Sequence, residues 1–481
     1  MLTPILGQAY VARSVNAADN RMVNLFPEAI PEGGMTSGFL NRAPGLRLLA
    51  TIGTGPIRGL WTHSTGGYDA YVVSGDEFYK IDTDYNATLI GTVSGTGPVS
   101  IADSGTQIFI ACNPDAYIYT ESTNTFEQIT DPDFAGAVTV CYIDGYFAFN
   151  QPNSQIIWVT DILNGTVINP LAFAAAESSP DQVVAVVNNN REVWVFGQGT
   201  TEVWYDAATT PFPLAPIQGA YNEIGCLAPF SIAKLDNSIF WLGADPRGYG
   251  IVYRNQGYTG KRVSTHAVEY AIQQYGDISD AEAYTYQEEG HAFYVLNFPT
   301  ANATWVYDVA TGAWHERASW NNGSFMRHRG QCQMNFNNQT IVGDFENGNI
   351  YALDLNVYSD NGGIQKWVRS WRPLGPNANN MKRTAQHTLQ LDCQSGVGLN
   401  LGQGSDPQVM LRWSDDGGHT WSSEHWISMG KIGEYGYRAI WRRLGMTTKL
   451  RDRIYEVSGT DPNKVVIVGA ELFLSGTNTN G

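Results

Sequence analysis

Charge is scarce in this sequence, and positive charge is scarcest. Only 16% of the 481 residues are Asp, Glu, Lys or Arg, and 29 basic residues face 46 acidic ones, for a net charge of −17. That balance argues against a protein whose whole surface grips nucleic acid or anionic lipid, since phosphate binding needs clustered Lys and Arg. Cysteine is nearly missing too. Cys112, Cys141, Cys226, Cys332 and Cys393 are odd in number and widely spaced, with no C-x-x-C pair. This argues against a disulfide framework or a zinc site, and thiols in apolar settings such as VTVCYI fit a cytosolic folding compartment as small hydrophobes. No apolar run approaches the ~20 residues a spanning helix needs. The opening MLTPILGQAYVARS lacks the basic start and apolar core of a signal peptide, so none is expected.

Catalytic patterns are absent as well. There is no H-E-x-x-H, G-x-S-x-G or P-loop, and GTGPIRG lacks the strand-then-helix context of a dinucleotide fingerprint. The eight histidines, among them His315, His328, His419 and His425, have no ligand spacing, so surface or capping roles are expected. No cofactor, metal or catalytic residue is assigned. Nor does any segment read as a helix longer than a turn or two.

What the sequence does have is β structure. β-Branched and aromatic residues stand in short runs separated by Gly, Asn, Asp and Pro. Seven segments share one grammar of apolar strand, polar turn and aromatic strand: DAYVVSGDEFYKID, QIFIACNPDAYIYT, YFAFNQPNSQIIWVTD, REVWVFGQGTTEVWYD, SIFWLGADPRGYGIVYR, HAFYVLNFPTANATWVYD and QTIVGDFENGNIYALD. Their second strands begin near Phe78, Tyr117, Ile156, Val203, Ile251, Trp305 and Ile350, a blade-like period. A single hairpin cannot cover both its faces, so successive units must stack radially. The expected fold is all-β: a β-propeller of six or seven irregular blades over residues 51–370, with further strands such as TFEQIT, AVTVCYI and GAWHERASW completing four-stranded blades. A chain of β-sandwiches with a fortuitous period is the alternative.

Composition changes on either side of the repeats. Residues 1–50 carry turn signals (NAADN, FPEAIPEGG, NRAPG) and little periodicity, as an extended arm would. Residues 371–380, WRPLGPNANN, read as a linker. Beyond it, 381–481 form a compact β-sandwich-like domain with strands HTLQLDC, QVMLRWS, YRAIWRRLGMT, RIYEVSG and VVIVGAELFL. Residues 361–460 hold 13 basic and 8 acidic residues, so the body is acidic and the C-terminal portion mildly basic.

Two features of that portion invite a functional reading. SDDGGHTWSS fits the S-x-D-x-G-x-T-W Asp box that recurs in sialidases. Its roles are structural: Asp416 accepts turn amides, Gly418 supplies a hindered backbone conformation, Trp421 inserts between strands, and Ser414 and Thr420 complete the turn. A sialidase needs several boxes, an arginine cluster and a nucleophile pair. Here one box lies outside the repeats, and although Arg42 in NRAPG could be pressed into the role of an N-terminal arginine motif, nothing places it beside the basic residues of the C-terminal domain. The second feature is a pair of basic, aromatic stretches. KWVRSWR carries Lys366, Trp367, Arg369, Trp371 and Arg372; YRAIWRRLGMTTKLRDR carries Arg438, Trp441, Arg442, Arg443, Lys449, Arg451 and Arg453. Such stretches bind nucleic acid by phosphate contact and stacking, or form an interface whose arginines meet another subunit's carboxylates. The acidity of the whole chain favours the interface.

NAADNRMVNLFPE, SGFLNRAPGLRLL, PDQVVAVVNNNREVWVFGQGTTEVWYD, WSDDGGHTWSSEHW and GEYGYRAIWRRLG together resemble the packaged-DNA stabilisation proteins, the tail-hub or nozzle subunits, of short-tailed bacteriophages. The resemblance runs in order from about residue 15 to residue 473. It implies a non-enzymatic virion tail protein assembled in the host cytoplasm. Six copies would form a ring beneath the portal and its adaptor, extend the DNA channel without binding DNA specifically, retain packaged DNA, and carry tailspikes or fibres and a needle or plug. The rival expectations are a sialidase-like propeller hydrolase and a monomeric propeller that binds glycan or peptide.

Overall fold

The computed structural model describes residues 1–13, 18–31, 34, 36–63, 69–177, 179–245, 248–374, 383–447 and 453–476. Seven antiparallel sheets follow one another along the chain. Blade 1 is Ile57–Thr62, Ala70–Ser74, Glu77–Ile81 and Ala87–Thr92; blade 2 is Ser100–Asp103, Gln107–Ala111, Ala116–Thr120 and Thr125–Gln128. Blade 3 is Val140–Ile143, Tyr146–Asn150, Ile156–Asp161 and Asn164–Ala175; blade 4 is Val183–Asn189, Glu192–Gly197, Thr201–Asp206 and Leu214–Asn222. In blade 5, Gly225–Cys226 and Ala233–Leu235 share the inner edge of Ser238–Asp245, followed by Gly248–Gln256 and Thr259–Arg262. Blade 6 is Glu282–Glu288, His291–Phe298, Ala303–Asp308 and Ala313–Glu316. Blade 7 is Gly330–Phe336, Gln339–Asp344 and Asn349–Asp354, completed by Gly45–Thr51 from the N-terminal segment.

Each of the seven hairpins legible in the sequence is the middle pair of strands of one blade. Local turn chemistry leads into them: in blades 3 to 7, Asp144-Gly145, Asn190-Arg191, Asp236-Asn237, Glu289-Gly290 and Asn337-Asn338 join the first strand to the second, ahead of the middle pair, with both residues at positive φ. Paired positive φ matches the twist of a two-residue hairpin, and Asn, Asp and Gly tolerate it best. The hairpins stack as their apolar faces require, with an apolar cluster between each adjacent pair. Tyr71, Phe78 and Tyr119 fill the space between blades 1 and 2, and Phe109, Phe147 and Phe149 that between blades 2 and 3. Ile57, Leu60 and Val72 of blade 1 meet Phe336, Ile341 and Ile350 of blade 7, which closes the circle. The described residues include one α-helix, His266–Gln273, between blades 5 and 6, with Thr265 capping it by accepting the Val268 amide.

The remaining strands form a β-sandwich. One sheet contains Leu25–Ala29, Gly38–Arg42, Val466–Gly476, Thr384–Cys393 and Ala439–Arg442. The other contains Trp367–Trp371, Ile454–Gly459, Gln408–Ser414 and His425–Ser428, and Met22–Val23 joins it to the outer edge of blade 6, giving nine strands in all. The join is a parallel bridge between Val23 and Glu316 beside an antiparallel pairing of Met22 with Arg369. Residues expected to be an arm therefore supply strands to a blade, to one sandwich sheet and to the join. Within the stretch expected to be a linker, Trp371 ends a sandwich strand, and residues 375–380 lie outside those described.

The closing strand is seated tightly. A Cβ at Gly45 would lie 2.3 Å from the carbonyl oxygen of Val357 and 2.6 Å from that of Ser359. Those atoms are backbone and cannot swing aside, so Gly45→Ala is expected to cost about 1–3 kcal/mol of unfolding free energy in denaturant titration. An unchanged midpoint would show that the strand does not hold the ring closed.

Candidate functional site

The tryptophan-rich stretch turns inward. Trp367, Arg369 and Trp371 are 1%, 1% and 0% exposed, in a strand buried on both faces. Arg369 donates from Nε to the carbonyl of Ile5 at 2.7 Å, and Trp371 Nε1 donates to the Thr3 hydroxyl at 3.0 Å. Burial pulls the Arg369 guanidinium down to about 10. Trp441 is buried and donates to the carbonyl of His425, while Arg453, 2% exposed, grips Asp415 through two hydrogen bonds of 2.6 and 2.7 Å. Each of these five side chains, expected to face another subunit, is buried within its own chain. Arg carries several N–H donors and Trp a single one, and here donors of Arg369, Arg453, Trp371 and Trp441 reach carbonyl, carboxylate and hydroxyl oxygens of the segments they hold together. Lys449 and Arg451 lie outside the described residues.

Arg438, Arg442 and Arg443 remain exposed. Along Arg438–Arg442 the strand alternates: Ala439 and Trp441 enter the core, so Arg438 and Arg442 face out. Arg438 donates to the Gln390 side chain, and no ion pair to Arg442 or Arg443 occurs among the described residues.

The Asp box is a self-satisfied turn. Asp416 Oδ1 accepts from the Ser414 hydroxyl at 2.7 Å and from the Thr420 amide at 2.9 Å, and Oδ2 accepts the Thr420 hydroxyl at 2.6 Å. Those bonds, Thr420's first, hold the carboxyl well below the usual range, so it has no proton to give. Gly418 sits at φ +92°, as its expected role demands. Trp421 departs from expectation: it is half-buried beneath the Arg412 guanidinium, 4.6 Å from its ring centroid, rather than inserted between strands. Arg42 is 2% exposed and donates to the Gln365 side chain and to the carbonyls of Asn463 and Tyr358. It is a clamp between arm and sandwich rather than a carboxylate receptor.

At the propeller centre the first strands of all seven blades surround a cavity of about 650 Å³. Its polar lining includes Arg58, Asp103, Lys234 and Glu282. Burial, only partly offset by Arg327, pushes the Glu282 carboxyl up to about 7, and one of its oxygens has no hydrogen-bond partner. Burial also pushes the Cys141 thiol in this cavity up to about 12, far from a reactive thiolate. A buried His–Asp pair exists in blade 6, with Nδ1 of His291 2.8 Å from Asp308 Oδ2. The neighbouring Thr311 hydroxyl bonds the carboxylate, not the imidazole, which reverses the order a nucleophile–base–acid relay needs. His315 and His328 are buried and neutral, His419 and His425 are exposed, and no group of metal-ligating side chains is found among the described residues.

A seven-bladed propeller joined to a β-sandwich through a sheet shared with blade 6 defines the class of protein. The matching families say which one. A family model described as "Bacteriophage P22 Gp10, beta-propeller" matches residues 1–358, and one described as "Bacteriophage P22 Gp10, beta-sandwich" matches residues 369–474. The chain belongs to this family of structural phage tail proteins. No curated protein matches it. Among solved structures, a virginiamycin B lyase from Staphylococcus aureus is 11% identical, with a TM-score of 0.43 over 64% of this chain and 98% of its own. The computationally designed Ika8 protein is 13% identical, with a TM-score of 0.40 over 64% of this chain and 99% of its own. Likeness at this level carries nothing about function.

Glu282 provides a titration test of the central cavity. Its folded pKa lies above the unfolded value of about 4.5, so the stability it contributes is complete below pH ~4.5 and is lost as pH rises through ~7. Glu282→Gln is expected to flatten that part of the profile, raising the melting temperature at pH 8.5 relative to pH 5.5 compared with the native chain. Superimposable native and variant profiles would show that Glu282 is already ionised in the cavity.

Proposed function

We propose that the chain is a subunit of a tail hub, or nozzle, that assembles as a ring, hexameric by family resemblance, beneath the portal and its adaptor. In this reading the ring extends the DNA channel, retains packaged DNA, and offers attachment surfaces to tailspikes or fibres and to a needle or plug; it catalyses nothing. The observation that carries the proposal is that both of its domains, in order, match the two phage Gp10 family models. Charge supports it: a net −17 suits a conduit through which a duplex must slide rather than stick. The construction supports it too, because a propeller and sandwich joined through one shared nine-stranded sheet transmit load as a unit.

Arg442 and Arg443 are the docking arginines of this reading, exposed and without carboxylate partners among the described residues. Arg442→Glu together with Arg443→Glu is expected to leave the melting temperature within about 2 °C, since surface changes cost little, and to remove the chain from purified tails in immunoblots. Normal incorporation of the double variant would sink the docking assignment, and absence of the native chain from virions would sink the hub itself.

A further inference from the structure

Residues 81–190 contain no Lys, Arg or His, yet include twelve Asp and Glu. In the fold this stretch is the outer strand of blade 1, all of blades 2 and 3, and the first strand of blade 4. A contiguous sector of the propeller therefore has no positive charge of its own. The exposed carboxylates Asp133, Asp161 and Glu177 in this sector have no basic partner among the described residues.

The same sector carries a concentration of exposed apolar side chains. Ile162, Leu163, Val167, Leu171 and Phe173 are 54%, 70%, 42%, 66% and 41% exposed. They lie on the turn into, and along, Asn164–Ala175, the outermost strand of blade 3, which has a free edge. Its pairing with Ile156–Asp161 is irregular between Ile168 and Phe173, the stretch that contains Leu171. Five large apolar groups within twelve residues, on an open edge, exceed the scattered exposure normal for a surface.

The sandwich presents the counterpart. Arg438, Arg442 and Arg443 are exposed beside Trp426, Ile432, Tyr435 and Tyr437, which are 60%, 55%, 76% and 42% exposed. The sandwich shares a sheet with the outer edge of blade 6, and its strand Gly38–Arg42 runs directly into the outermost strand of blade 7; blade 3 stands three blades away from either of them, so blade order sets its outer edge across the ring from the sandwich. One pole is apolar and acidic, the other aromatic and basic.

We propose that the outer edge of blade 3 in one copy docks against the Arg438–Arg443 face of the sandwich in the next copy. A two-fold dimer would press each pole on its own kind, acid on acid or base on base, which the charges oppose. Pole-to-pole contact is head-to-tail, the kind that closes into a ring when its rotation permits. The occupant is a second copy because that copy carries the complementary charge and aromatic surface. An acidic wall facing DNA and water would leave the five apolar groups of blade 3 solvated. This inference rests on the tail-hub reading for its setting and specifies the contact that builds the ring.

The test is a cysteine pair, Leu171→Cys with Tyr435→Cys, treated with a short bismaleimide on purified tails. The native chain, with its five free thiols, is the control. A ladder of covalent multimers is expected from the double variant alone, whereas each single variant should match the control and the two single variants mixed should stop at a dimer. Dimers from either single variant by itself, or a Leu171→Cys adduct with a different virion protein, would overturn the interface. So would tails that contain the double variant at native level and yield no ladder, an outcome that leaves the hub standing; native chain missing from tails would instead defeat the hub. As a second arm, Asp161→Arg with Glu177→Arg should restore incorporation of the Arg442→Glu, Arg443→Glu variant, and failure to restore it where the ladder is also absent counts against the contact.

Discussion

The structure depends on a strand pairing between residues some 300 positions apart in the chain: Gly45–Thr51 lies along Asn349–Asp354 as the fourth strand of blade 7. Without it, blade 7 has three strands and the apolar seam to blade 1 loses the segment that leads into Ile52 and Ile57. The same N-terminal segment gives two strands to the sandwich and one to the join, so ring closure and domain attachment are one event. Buried arginines fix this segment. Arg369 takes the carbonyl of Ile5, Arg317 that of Pro44, and Arg42 those of Tyr358 and Asn463. Removing any of these guanidinium groups would strand buried carbonyls at about 1–3 kcal/mol each.

This wiring explains how a chain with few charges can serve as a mechanical part. Arg21 forms a two-pronged ion pair with Glu316 at 3.1 and 3.0 Å, directly beside the parallel bridge that carries the blade 6 sheet into the sandwich. The pair is half-buried, and it guards a register that nine strands share. A force applied to the sandwich therefore passes into the propeller through sheet hydrogen bonds rather than through a flexible tether. Such a coupling suits a part of a phage tail that carries load.

Much of this was legible in the sequence because hairpins are local. The seven repeats fell on the second and third strands of the seven blades, and the five C-terminal strand segments all lie in the sandwich. The Asp box was legible as turn chemistry, since Ser414, Asp416 and Thr420 bond within seven residues. The closing strand was not, because GLRLLAT pairs only with residues far along the chain and no local period announces that. KWVRSWR was misread for a related reason: Trp367–Trp371 is covered on both faces, which abolishes the alternation that separates inside from outside. The base-free stretch could be counted in the sequence, but it acquires meaning only when blade order sets it opposite the sandwich.

In the proposed hub, propeller and sandwich act as a single unit repeated around the tail axis. Electron cryomicroscopy of the phage tail would show this as a ring below the head–tail connector into which copies of the whole subunit fit as a rigid body, blade 3 of each against the sandwich of its neighbour. Density for isolated copies at the tail periphery, or a propeller and sandwich that must be separated to fit, would contradict it.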